Sequence, residues 1–233
     1  MKILAVETAT EACSAALFLD GEIIERCRLA PREHSRLILP MMQSLLDEAG
    51  IALNRLDALA FGRGPGSFTG VRIAAGVIQG AALGADLPVV PVSTLAALAQ
   101  ASIVHFEAEY AFSALDARIG EVYWGVYRRN GEGFAEVEGA EAVVDANRVL
   151  FPDEAVGIGV GSGWQAYPDV LKKRLGSRVV RIEGDRYPTA GFVVRLGVEG
   201  LKNDQAVSAE LALPVYLRNT VAHKMAGRKA ARE

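Results

Sequence analysis

The chain has 233 residues, of which 51% are hydrophobic and 23% are charged. It can therefore bury a core large enough to offset the entropy of folding, which excludes a disordered protein. The formal net charge of −3, from 25 basic and 28 acidic residues, argues against a protein that binds nucleic acid or a membrane with its whole surface.

The charge is distributed unevenly. Residues 218–233 contain five basic residues and one acidic residue, a net charge of +4. Because the whole chain carries −3, residues 1–217 carry −7. A basic tail of this kind could contact RNA phosphates or be a solvated terminus.

The first half of the chain predicts strands followed by alternating helices and strands. Strands are predicted at residues 3–8, 12–19, 22–29, 58–61 and 89–92, and helices at about 34–49, 70–85 and 93–104. Asp20-Gly21 is a two-residue hairpin signal, and in that register the side chains of Cys13 and Cys27 lie on opposite faces of the sheet. No disulfide is therefore expected, and without a signal-peptide or membrane-spanning pattern we expect a cytoplasmic protein.

The second half repeats this order approximately. Strands are predicted near residues 111–115, 121–128, 134–138 and 155–160, and helices near 142–150, 164–175 and 189–202. A hairpin start followed by alternating elements favours an α/β fold with mixed sheets and helices on their faces.

The first predicted helix has more apolar surface than one core face requires. Its apolar residues cover roughly 180° of the helix circumference, so Leu37, Met41 and Leu45 are candidates for contact with a partner. Pro40 predicts a kink near Arg36, or a helix that begins only at the proline.

The second predicted helix is almost uncharged. Its strongly polar residues, Arg72 and Gln79, are seven positions apart and share one stripe. Gly76, Gly80 and Gly84 recur every fourth residue, and small residues at this spacing let another backbone approach closely. The glycines could pack on the chain's own sheet or on a partner, and together the two helices suggest a protein-protein interface.

A glycine-rich loop at residues 62–70 joins a strand to a helix N-terminus, where free N–H groups and the helix dipole favour an anion. The alternative for the loop is a plain tight connection. Glu7, which ends the first strand, could instead be a solvated or capping group. The candidate phosphate or nucleotide contacts are Glu7, Thr8, Gly64, Gly66 and Ser67.

Other ionisable groups favour structural roles. His34, His105 and His223 lack the spacing of metal ligands, so no metal site is expected. Asp116 and Arg118 could contact a substrate, but a local ion pair is favoured.

Four segments, taken in order, resemble the TsaB (YeaZ) family, the bacterial partner subunit in threonylcarbamoyladenosine formation on tRNA. They are ILAVETAT at 3–10, GPGSFTGVR at 64–72, LDARIGEVY at 115–123 and PVYLR at 214–218. The resemblance implies a two-lobed fold of the actin, Hsp70 and sugar-kinase type. We expect an N-terminal lobe at residues 1–104, a C-terminal lobe at 105–217 and a basic tail at 218–233.

The resemblance also implies a non-catalytic role. The chain would bind TsaD through its N-terminal helices and activate it for transfer of the threonylcarbamoyl group to the tRNA adenosine beside the anticodon. The ATPase TsaE would join the assembly, tRNA would be reached through the complex, and the isolated chain could form a homodimer. No cofactor is expected on the chain itself, although ATP or ADP could lie at the contact with TsaD. The expected interface residues are Leu37, Met41, Leu45, Arg72, Gly76, Gln79 and Gly80.

The catalytic relative carries a metal-binding His-x-x-x-His motif, and Thr94 and Leu98 stand at the corresponding positions here. Neither side chain can replace an imidazole as a metal ligand. The alternative function is an actin-like small-molecule kinase or ATPase that uses Glu7 and the glycine-rich loop. A metallopeptidase ranks last, because its ligands are missing.

Overall fold

A computed structural model describes residues 1–218 of the chain. The strands are β1 (Lys2–Glu7), β2 (Ala12–Leu19), β3 (Glu22–Leu29), β4 (Ala58–Gly62), β5 (Val89–Val92), β6 (Tyr110–Arg118), β7 (Glu121–Arg129), β8 (Ala135–Val137), β9 (Ala142–Asp145), β10 (Gly157–Val160) and β11 (Val179–Glu183). The helices are α1 (His34–Ala49), α2 (Phe68–Ala85), α3 (Thr94–Phe106), α4 (Ser162–Ala166), α5 (Pro168–Leu175) and α6 (Ala190–Lys202), with short 3-10 turns between some of the elements.

The first sheet has the order β3-β2-β1-β4-β5. β1, β2 and β3 pair antiparallel, whereas β4 pairs parallel to both β1 and β5. Asp20 and Gly21 both have positive φ values, 48° and 107°, as a type I′ hairpin turn requires. Cys13 pairs with Arg28, and both cysteines are free thiols, so the predicted hairpin register is confirmed.

The second sheet repeats this topology. Its order is β8-β7-β6-β10-β11, with two antiparallel pairs followed by two parallel pairs. β9 adds to the outside of β7. The repeat predicted from element order is therefore confirmed, and the α/β class with two mixed sheets flanked by helices is confirmed with it.

Each sheet is covered by a helix from the other half of the chain. α6 follows the second sheet, yet Val193 and Val194 pack against Ile3 and Ala5 of the first sheet. α3 follows the first sheet, and its residues Leu95, Leu98 and Ala99 pack with Ala111 and Leu115 of the second. The structure thus differs from a division at residue 104, because α6 belongs to the core of the first sheet.

Two predicted elements of the second half are wrong. Residues 142–150 were expected to be helical, but Ala142–Asp145 form β9 and Ala146–Arg148 form a 3-10 turn, because the valines at 143 and 144 pair with β7. The expected helix at 164–175 is two helices, since Pro168 cannot continue α4 and instead begins α5. β11 had no counterpart in the prediction.

Candidate partner-binding surface and glycine-rich loop

α1 packs one face on the first sheet and leaves another open. It begins at His34 and runs to Ala49, so a start at Pro40 is excluded. Leu45 is 0% exposed in the core. Its assignment to the partner interface is therefore wrong, because helical geometry turns position 45 toward the sheet. Leu37 and Met41 are half-buried and pack against the core cluster that contains Leu45.

The exposed face of α2 carries the glycines. Gly76, Gly80 and Gly84 are solvent-exposed, and a Cβ added at any of them would meet no atom of residues 1–218 within 4 Å. Packing of these glycines on the chain's own sheet is therefore excluded. Leu83 is 70% exposed and Phe68 is 61% exposed, so the stripe has large apolar side chains at both ends.

By length and composition, α2 could cross a membrane, with a mean hydropathy of 1.3 and 33% of its residues buried. A core helix of a soluble protein passes the same test. Val71, Ala74, Ile78 and Ala82 of α2 are buried, which accounts for the apolar character of that face of the helix.

The glycine-rich loop uses its polar groups internally. The Ser67 backbone N–H donates to the Ala9 carbonyl oxygen over 2.7 Å, and the Ser67 hydroxyl accepts from the Gly70 N–H over 3.4 Å as the N-cap of α2. A Cβ at Gly66 would lie 2.5 Å from the Ala9 oxygen. These contacts favour a tight strand-to-helix connection, because the loop closes on the end of β1.

Glu7 is buried rather than solvated. Its side chain is 0% exposed and accepts hydrogen bonds from the Ala9 N–H over 2.6 Å and from the Thr94 hydroxyl over 3.1 Å. Burial raises the pKa of Glu7 from 4.5 to about 7, although these hydrogen bonds act in the opposite direction. Of the two expected roles, the solvated one is therefore wrong, whereas the hydrogen bond from the Ala9 N–H agrees with the capping one.

Thr8 is also buried, and its hydroxyl donates to the Gly70 carbonyl oxygen over 2.7 Å. It thus joins the end of β1 to the first turn of α2. Gly64 is buried with a φ of 96°, which a residue with a side chain rarely adopts. Thr8 and Gly64 have structural contacts that account for their positions.

A cleft of about 750 Å³ lies between the two halves. Of the five predicted phosphate or nucleotide contacts, Gly66 and Ser67 line it, whereas Glu7, Thr8 and Gly64 are not among its lining residues. Two of the five residues therefore open onto the cleft, and a phosphate or nucleotide site at these residues stays a prediction.

The Asp116 carboxylate also lines this cleft and forms an ion pair with Arg118 over 3.0 Å. The favoured local ion pair is therefore confirmed. Thr94 and Leu98, at the positions of the metal-binding motif, are both buried. Within residues 1–218, no three His, Cys, Asp or Glu side chains are grouped so that they could hold a metal ion.

The basic tail lies almost wholly outside the described residues. Its first residue, Arg218, donates to the Ala117 carbonyl oxygen over 2.9 Å and pairs with Glu121. The RNA-binding expectation for residues 219–233 stays a prediction.

Sequence reasoning missed several exposed apolar side chains in α1 and in the segment after α6. Leu39 is 56% exposed, Leu213 is 56% exposed and Tyr216 is 45% exposed. An apolar residue in a helix or loop gives no sequence signal of its exposure, because exposure depends on which face the tertiary packing covers.

Comparison with known proteins places the chain in a family. The model of the family "TsaD: tRNA N6-adenosine threonylcarbamoyltransferase" matches residues 27–159. The tRNA threonylcarbamoyladenosine biosynthesis protein TsaB of Escherichia coli is 45% identical over 96% of this chain and 97% of its own. The Haemophilus influenzae protein of that name is 40% identical over 96% of each chain. The structure of YeaZ from Pseudomonas aeruginosa is 44% identical, covers 93% of this chain and 99% of its own, and has a TM-score of 0.86. The chain therefore belongs to the TsaB (YeaZ) family, whose curated relatives are named for tRNA threonylcarbamoyladenosine biosynthesis.

Proposed function

We propose that this chain is a non-catalytic subunit of tRNA threonylcarbamoyladenosine biosynthesis that binds TsaD and activates it for threonylcarbamoyl transfer. The observation that carries the proposal is the open face of α2. No atom of the described part of the chain lies above its exposed glycines at 76 and 80, so the backbone of a partner helix can come close. Leu83, 70% exposed, adds apolar area beside them.

The match to the TsaD family model over residues 27–159 supports the choice of partner. That range contains α1 and α2. A partner with related helices could pack its equivalent face on them in a pseudo-symmetric arrangement. The same surface would accept a second copy of this chain when TsaD is absent.

The alternative, a small-molecule kinase or ATPase, is less favoured. Glu7 is its expected acid, but this carboxyl group is fully buried and bonded to Thr94 and Ala9. A nucleotide at the contact with TsaD, the participation of TsaE, and a cytoplasmic location are further parts of the proposal that follow from the family.

Size-exclusion chromatography of the chain mixed with TsaD tests the proposal. We expect a heterodimer peak, and tRNA modification by TsaD that depends on this chain. The matched variants are Gly80→Phe, which fills the open face of α2, and Gly131→Phe, in a surface turn where an added Cβ also meets nothing within 4 Å.

Gly80→Phe should abolish the heterodimer, and Gly131→Phe should leave it intact. Two unshifted peaks for the wild-type chain would refute TsaD binding. ATP turnover by the isolated chain, lost in Glu7→Ala, would favour the kinase or ATPase.

A further inference from the structure

An exposed arginine lies beside two exposed aromatic rings that contact each other at the start of α2. The guanidinium carbon of Arg72 lies 3.3 Å from the ring centroid of Phe68 and 5.4 Å from that of Tyr216. The two ring centroids are 5.9 Å apart. Phe68 is 61% exposed and Tyr216 is 45% exposed. We call these three residues the Arg72 cluster.

The glycine-rich loop fixes the position of both rings. Phe68 directly follows Ser67, the N-cap residue of α2. Tyr216 directly follows Val215, whose N–H donates to the Arg63 carbonyl oxygen over 2.8 Å. Phe68 thus follows the loop along the chain, and the segment that carries Tyr216 is hydrogen-bonded to the loop, so both rings lie next to Arg72 in the free chain.

Gly64 allows this arrangement. A Cβ at Gly64 would lie 3.1 Å from the Val215 carbonyl oxygen, and its φ of 96° disfavours any side chain. The segment that carries Tyr216 can therefore lie close against the loop. This contact gives the loop a role that requires no phosphate.

The guanidinium is unpaired within the described chain. Arg72 is the single charged residue of α2, and no carboxylate of residues 1–218 lies within ion-pair distance of it. Stacking on aromatic rings occupies the face of a guanidinium and leaves its N–H edge free to bind a carboxylate through two parallel hydrogen bonds.

The cluster continues the proposed docking surface. Arg72 lies four and eight positions before Gly76 and Gly80, on the same stripe of the helix. On the other side, Leu211 and Leu213 are 65% and 56% exposed, next to the segment that carries Tyr216. Arginine and tyrosine are enriched among the residues that dominate binding energy.

We propose that the Arg72 cluster is a preformed receptor for one carboxylate on the helical face of TsaD. This inference rests on the proposed function. A second copy of this chain is the competing occupant, and the experiment separates the two.

The affinity for TsaD, measured by titration calorimetry, tests the proposal. We expect Arg72→Ala to weaken binding at least tenfold. Arg72→Lys should weaken it similarly, because an ammonium group keeps the charge but lacks the planar fork. Tyr216→Ala should show a smaller loss. The matched control is Arg195→Ala, an exposed arginine of α6, and it should stay within twofold of wild type.

The partner's carboxylate can be found by charge reversal. Each acid on the helical face of TsaD is changed to arginine and tested with Arg72→Glu. One of these pairs should bind at least tenfold more tightly than Arg72→Glu binds wild-type TsaD. Circular dichroism and thermal unfolding of each variant show that the exposed substitutions leave the fold intact.

Three outcomes would overturn the inference. If Arg72→Ala and Arg72→Lys both bind TsaD within twofold of wild type while Gly80→Phe does not bind, the receptor role fails and the proposed function stands. If Arg72→Ala weakens only self-association in the ultracentrifuge, the occupant is a second copy. If wild type forms no complex with TsaD, the proposed function fails as well.

Discussion

Replacement of Glu7 by glutamine should change how the stability of the protein depends on pH. Burial raises the pKa of this carboxyl group from 4.5 to about 7. Between these two values the folded state holds a proton that the unfolded state has released, so stability falls as pH rises through this range. At about 1.4 kcal/mol per pKa unit, the loss amounts to about 3 kcal/mol above pH 7.

Glu7→Gln removes the titration and retains an oxygen that can accept from the Ala9 N–H. Urea unfolding of both proteins at pH 5, 6, 7 and 8 measures the difference. The variant should gain about 2–3 kcal/mol relative to wild type between pH 5 and pH 8.

Glu22→Gln, at an exposed position of β3, is the matched control and should show no such trend. A Glu7→Gln difference that stays constant across this pH range would refute the raised pKa.

Further predictions concern glycines and thiols. Gly70→Ala should destabilise the protein by more than 1 kcal/mol, because its Cβ would lie 2.0 Å from the Thr8 carbonyl oxygen. Gly84→Ala, with open space at the same helix, should stabilise it by up to about 1 kcal/mol, and thermal unfolding at equal protein concentration compares the two. A thiol reagent at pH 8 should label exposed Cys27 in the native protein and Cys13 only after denaturation, because the Cys13 side chain is fully buried. Rapid labelling of both thiols would contradict this order.

The first sheet could be predicted from sequence because its signals are local. The Asp20-Gly21 turn fixes the hairpin register, and alternating apolar runs define the strands. β9 could not be predicted as a strand, since its two valines form a strand only because β7 offers an unpaired edge. The position of α6 on the first sheet is likewise set by tertiary contacts far along the chain.

The candidate surface was predicted only in part, because some of its residues have local sequence signals and others are placed by tertiary contacts. Arg72, Gly76 and Gly80 were identified from the sequence, because a helix with one charged residue and regularly spaced glycines is unusual. Leu45 was misassigned, because an apolar stripe does not say which of its edges faces the sheet. Tyr216 was missed because it approaches α2 only through the fold, from more than a hundred residues away.

Because α3 packs on the second sheet and α6 packs on the first, neither half of the chain can complete its own core without the other. A chain cut at residues 107–109 would separate α3 from the second sheet and α6 from the first sheet. Each fragment would then expose one apolar face of its sheet to water. Separately expressed fragments should precipitate, whereas co-expression should let each supply the other's missing cover and restore a nicked but native molecule.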